Sequence, residues 1–90
     1  MENMSFEFMK KKMVYNEYLR EKYNRLVAKE KEMVGGHGRR LTQNKLGARM
    51  GISDSYISFW LKKQREFDFE ILERVAAVLL EEEALLGGIE

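Results

Sequence analysis

The 90-residue chain contains no cysteine, no proline and a single histidine. Without cysteine there is no disulfide, no thiol nucleophile and no thiolate zinc site, and one histidine is too few for a histidine-based metal centre. No apolar stretch approaches the ~20 residues that a membrane-spanning helix needs, and no signal-peptide core is present. The chain is therefore expected to be cytoplasmic, without membrane association. Runs of β-branched residues are scarce, which together with the missing proline favours helix throughout. Also missing are a nucleophile–base pair, a cluster of metal ligands and a phosphate-binding glycine loop, so neither enzymatic activity nor a cofactor is expected.

What remains is a chain of 44% hydrophobic residues, which suffices for one small domain over residues 1–90, near the lower limit for a free-standing core. The formal net charge of +1 hides an uneven distribution. Residues 37–65 carry Arg39, Arg40, Lys45, Arg49, Lys62, Lys63 and Arg65 against Asp54 alone, whereas residues 66–90 carry Arg74 alone against eight acidic residues. A basic middle segment suits a polyanion, because each phosphate that is neutralised releases condensed counterions.

Helical periodicity organises the rest. Leu19, Tyr23, Leu26, Val27 and Val34 recur at three- and four-residue spacing and predict a first helix from residue 6 or 9 to 34, ended by Gly35, Gly36, His37 and Gly38. His37, among glycines, reads as an exposed loop residue. Thr42 is the expected N-cap of a helix over 43–50, and Ser53 of a helix over 54–63. A last helix, within residues 68–86, presents Leu72, Val75, Ala76 and Leu79 to the core, with Phe67 and Leu72 spaced as a hydrophobic staple. Ile71, Val78 and Leu85 form a second apolar stripe beside that face. The run Glu81-Glu82-Glu83 reads as a solvated stretch, and residues 87–90 as a loose tail.

Residues 41–61, LTQNKLGARMGISDSYISFWL, read as a helix-turn-helix. Leu46, Met50, Ile52, Ile57 and Trp60 or Leu61 are its apolar positions. Gly47 falls where the second helix of the unit crosses the first, and Gly51 falls at the turn, where a positive φ is needed. Ile57 is the buried anchor of the second helix. Asp54, Ser55, Tyr56, Ser58, Phe59 and Lys62 then face outward, where a major groove would lie. Trp60 reads as core, and Tyr15, Tyr18 and Tyr23 as packing or surface residues. Asp54 has two readings, a base contact or a partner for the helix dipole.

From residue 41 to 79 the chain resembles the lambda-repressor/Cro/Xre-type DNA-binding domains. The resemblance rests on Leu41-Thr42-Gln43, Met50-Gly51-Ile52-Ser53, Ile57-Ser58 and Leu72-x-x-Val75-Ala76-x-x-Leu79, in that order and at those distances. It implies an all-α bundle of four to five helices, here with an extended N-terminal helix and a longer, glycine-rich loop after it. It implies that Gln43 supports the recognition helix and reaches a phosphate, and that Asp54, Ser55, Tyr56, Ser58 and Phe59 face the bases. Arg39, Arg40, Thr42, Asn44, Lys45, Ser53, Lys62 and Lys63 are the expected phosphate contacts, the two arginines standing beside a helix N-terminus. Asp54, Tyr56 and Phe59 replace the Gln, Asn or Arg that read adenine and guanine most readily.

Residues 1–13, with Met4, Phe6, Phe8, Met9, Met13 and Lys10-Lys11-Lys12, are read first as an arm that packs on the domain or on a second subunit. A basic arm on DNA and a loose end are the alternatives. The expected partners are therefore double-stranded DNA and a second copy in a homodimer, with a protein partner on the arm or the last helix as a further possibility. The expected function is a sequence-specific transcriptional regulator, a repressor of phage or mobile-element type. The alternative is a protein-interaction or DNA-targeting module of a recombination or transposition complex.

Overall fold

The computed structural model describes residues 2–34 and 40–86, with side chains from 7–33 and 40–86. The expectations for Arg39, His37, the neighbouring glycines and the tail 87–90 lie outside the described residues, as do those for the side chains of Met4 and Phe6. Four helices and no strand are present among the described residues: α1 (Glu2–Val34), α2 (Gln43–Met50), α3 (Asp54–Leu61) and α4 (Phe69–Leu85). No described helix is long and apolar enough to cross a membrane.

α2 forms where its caps dictate. Thr42 Oγ1 accepts the backbone N–H of Lys45 at 3.2 Å, which satisfies one of the donors a helix N-terminus leaves unpaired. Gly51 ends the helix with φ 72°, and its N–H bonds back to Ala48 and Gly47. α3 repeats the start, with Ser53 Oγ accepting from the N–H of Tyr56 at 3.3 Å. It stops at Leu61, two residues before the predicted end, because Lys63 turns to φ 64°. The stop normally falls to glycine, so no glycine marks it in the sequence.

α1 begins at Glu2, earlier than the periodicity indicates, since the pattern follows burial and residues 7–11 of α1 are exposed. Leu19, Tyr23 and Leu26 of α1 meet Leu46 and Met50 of α2, Ile57 and Trp60 of α3, and Leu72, Val75 and Leu79 of α4. Leu41 and Phe67 close this core from the connections, and Phe67 and Leu72 are fully buried on either side of the Asp68 cap, as a staple requires. Asp68 makes no side-chain capping bond. It takes Lys12 Nζ at 3.3 Å, while Phe8 stacks on Phe69 with centroids 5.0 Å apart. These contacts tie the N-terminal extension of α1 to the start of α4.

Two sequence expectations for α4 change. Ile71 and Val78 pack partly against the core, so the second stripe leaves Leu85 as its exposed part. Glu82 is not solvated: it is completely buried, one helical step beyond Leu79 on the face that Leu72 and Val75 begin. Of its neighbours, Glu81 stays exposed and Glu83 pairs with Lys22 at 3.0 Å.

Candidate nucleic-acid interface

α3 is held from its inner side and left open on its outer one. Ile57 and Trp60 are fully buried. Trp60 stacks on Phe67 at 4.8 Å and donates its indole N–H to Asn16 Oδ1 at 2.8 Å. Arg20, also buried, donates from Nε to the carbonyl of Trp60 and from Nη2 to the carbonyl of Arg65 at 3.1 Å. Its guanidinium therefore occupies the C-terminal end of α3, where a cation suits the helix dipole. Glu17 and Glu66 complete its coordination at 2.7 and 3.1 Å. Neither Asn16 nor Arg20 stands out in the sequence, because their partners in α3 and the connection after it lie 40 to 51 residues away.

The spacing of α2 and α3 is set at Gly47. A Cβ there would lie 2.4 Å from the carbonyl oxygen of Ile52 and 3.5 Å from the backbone N of Asp54. The close approach is thus between α2 and the turn that opens α3. The same turn is fastened by the Ile52 N–H donating to the Gly47 carbonyl at 2.8 Å.

On the outer side, Asp54, Ser55, Phe59 and Lys62 are exposed. Ser55, Phe59 and Lys62 follow i, i+4, i+7 spacing and share one face. Ser58 is half-buried beside them. Tyr56 departs from the outward reading. Its ring is half-buried against Phe67 at 5.6 Å, with the Arg65 guanidinium 4.7 Å above it, because position 56 lies on the side of the helix that turns toward Trp60. Gln43, Asn44 and Lys45 are exposed in the first turn of α2, whose acidic residues number none.

The basic residues differ in what already engages them. Lys63 Nζ reaches back to Glu17 of α1 at 2.9 Å, and that hydrogen bond, with help from Arg20, holds the Glu17 carboxyl below its ordinary 4.5. Arg40 Nε donates to both oxygens of Glu82 at 3.0 Å. Arg49 Nη1 donates to Glu82 Oε2 at 2.7 Å and its Nη2 pairs with Glu81. In the sequence Glu82 reads as one of three solvated charges. Its signal is a single charge falling in register with the buried positions 72, 75 and 79.

No group of three or more metal-ligating side chains is found among the described residues. The arrangement offers a rigid helix presenting hydroxyls, a carboxylate, an aromatic ring and cations to a partner, which is chemistry for recognition. Residues 39–84 match the family described as helix-turn-helix. No curated protein and no solved structure matches the chain.

Proposed function

The chain belongs to the helix-turn-helix family of the lambda-repressor/Cro/Xre type, whose function is DNA-binding transcription regulation, and on that footing we propose that it is a sequence-specific repressor of phage or mobile-element type. Residues 54–63 enter the major groove, and α2 braces them across the backbone. Asp54, Ser55, Ser58 and Phe59 face base edges. Arg40, Thr42, Gln43, Asn44, Lys45, Ser53, Lys62 and Lys63 face phosphates. The observation that carries this reading is the division of α3 itself, locked inside by Ile57, Trp60 and Arg20 and open outside at Ser55, Phe59 and Lys62. A helix so held meets DNA with little ordering left to do, which favours affinity. Tyr56 contributes from the edge of that surface.

The acting species is a homodimer. Phe8, Met9, Met13, Val14 and Tyr18 leave large apolar groups exposed along the first half of α1. Apolar surface of that extent marks a contact with another chain. The recognition helices of two subunits would then stand about 34 Å apart, one turn of B-DNA. The same row of α1 residues is what favours the second reading, a protein-interaction or DNA-targeting module of a recombination or transposition complex.

One experiment separates the two. Random-sequence duplex is titrated at two salt concentrations, and bound duplexes are then selected from a random pool. A regulator binds with a steep loss of affinity as salt rises and enriches one sequence. A protein-interaction module does neither, and a purely nonspecific DNA tether shows the salt dependence without enrichment.

A further inference from the structure

We propose that Glu82 is a positioning residue for DNA binding: from the buried side of α4 it holds Arg40 as a pre-ordered clamp for one backbone phosphate. The inference rests on the DNA-binding reading above and adds a residue that contacts no DNA.

The carboxylate of Glu82 is 0% exposed, on a helix face otherwise made of Leu72, Val75 and Leu79. A leucine would suit that position as packing, since a buried ion pair is seldom more stabilising than a well-packed apolar group. What the carboxylate adds is its hold on two guanidiniums. Arg49 is engaged on two sides, by Glu82 through Nη1 and by Glu81 through Nη2. Arg40 is engaged on one. Its Nε is fixed by both Glu82 oxygens, while its side chain is 55% exposed and its two terminal nitrogens bond to nothing among the described residues. The backbone of Arg40 is fixed as well. Buried Glu30, on α1, accepts the N–H of Arg40 at 2.8 Å and of Leu41 at 3.2 Å.

Arg40 is thus anchored at its main chain by α1 and at the inner edge of its guanidinium by α4. The donors left over form the planar outer edge of the guanidinium, which is matched to two oxygens of a phosphate. Arg40 stands two residues before the Thr42 cap, at the end of α2 that also carries Gln43, Asn44 and Lys45. With Lys45, Ala48 and Arg49 it lines an open groove of about 310 Å³. Because the guanidinium is already oriented, binding a phosphate freezes fewer rotamers than it would for a free arginine.

The charge of Glu82 makes the proposal testable by sign. Glu82→Gln keeps the shape and removes a negative charge, so a carboxylate that acted only through its field would weaken DNA binding in the wild type and the variant would bind more tightly. Affinities for a labelled random duplex are measured for wild type, Glu82→Gln, Arg40→Ala, the double variant and Arg40→Lys, with melting curves to establish that each is folded. The expected result is that Glu82→Gln weakens binding by about tenfold, one charge-assisted phosphate contact. Adding Arg40→Ala to it costs little more, the non-additivity of residues acting as one unit. Equal or tighter binding by folded Glu82→Gln overturns the proposal, and so does full additivity. Arg40→Lys decides the case even where Glu82→Gln does not fold. Lysine keeps the charge and loses the fork, so it should bind nearly as weakly as Arg40→Ala, and wild-type affinity for Arg40→Lys overturns the clamp. Wild type that binds no duplex overturns the DNA-binding reading itself, and the clamp with it.

Discussion

Trp60 of α3 donates its indole N–H to the carboxamide oxygen of Asn16 on α1, 2.8 Å away and wholly out of solvent. The same oxygen accepts the N–H of Phe67 at 2.9 Å, and the Asn16 amide donates to the carbonyls of Phe67 at 3.1 Å and Lys12 at 2.8 Å. One buried side chain with every hydrogen-bonding site in use therefore fixes the end of α3 and the connection to α4 against α1. Replacing Asn16 with Leu strands the Trp60 and Phe67 N–H groups in the core. At about 1–3 kcal/mol for each orphaned group, the variant should lose about 2–6 kcal/mol of stability in urea denaturation. A loss below about 1 kcal/mol would show that the network does not hold the helix.

Gly47 and Gly51 should respond to alanine for different reasons. At Gly47 the new methyl meets the Ile52 carbonyl at 2.4 Å, a backbone atom that moves only if the turn moves. Gly47→Ala is expected to cost about 1–3 kcal/mol and to weaken DNA binding by displacing α3. At Gly51 there is open space but φ is 72°. Gly51→Ala is expected to cost about 1 kcal/mol, the left-handed penalty, with DNA affinity of the folded fraction retained. Binding and melting curves on the two variants separate the cases.

Lys63 adopts φ 64° and pairs with Glu17. Lys63→Gly should relieve the backbone by about 1 kcal/mol. It should also remove a pH-dependent term. The folded pKa of Glu17 is lowered, first by the Lys63 hydrogen bond, so its contribution is complete above its ordinary 4.5 and is lost as pH falls through the lower folded value. The variant lacks the Lys63 part of that contribution at every pH. Its advantage over wild type in thermal melts should therefore widen between neutral pH and pH 3, and an advantage that shrinks over this interval would contradict the assignment.

Asp54 is exposed in the first turn of α3 and makes no ion pair among the described residues. Its favourable interaction there is with the helix dipole, about 0.3–1 kcal/mol. Asp54→Ala should melt slightly lower and bind random duplex more tightly, because a negative charge is removed from the surface proposed to meet the polyanion. A decrease in affinity for random duplex would assign Asp54 a direct role in binding instead.

The parts of the fold legible in sequence are those whose causes are local. Thr42, Ser53 and Gly51 bound α2 and open α3 through contacts spanning three or four residues, and the 3.6-residue period of Leu19, Tyr23 and Leu26 marks the buried face of α1. The parts not legible depend on distant approach. Asn16, Arg20, Glu30 and Glu82 are polar residues buried by partners 10 to 51 residues away, so in sequence they resemble the solvated charges around them. Within the candidate site the outward positions Ser55, Phe59 and Lys62 follow from helix geometry alone. The inward lean of Tyr56 and the diversion of Lys63 to Glu17 follow from Phe67, Arg65 and α1.

The reading of α3 as the helix that recognises DNA rests on a ratio, the affinity for a duplex selected from a random pool over that for random duplex at the same salt. Ser55→Ala and Phe59→Ala change the exposed face without touching the buried anchors Ile57 and Trp60. Each is expected to lower the ratio by about 1–3 kcal/mol in free-energy terms while leaving random-duplex affinity and its salt slope unchanged. Lys62→Ala should instead weaken both duplexes alike and reduce the salt slope by about one. A ratio that survives both Ser55→Ala and Phe59→Ala in folded protein would place sequence recognition elsewhere on the molecule.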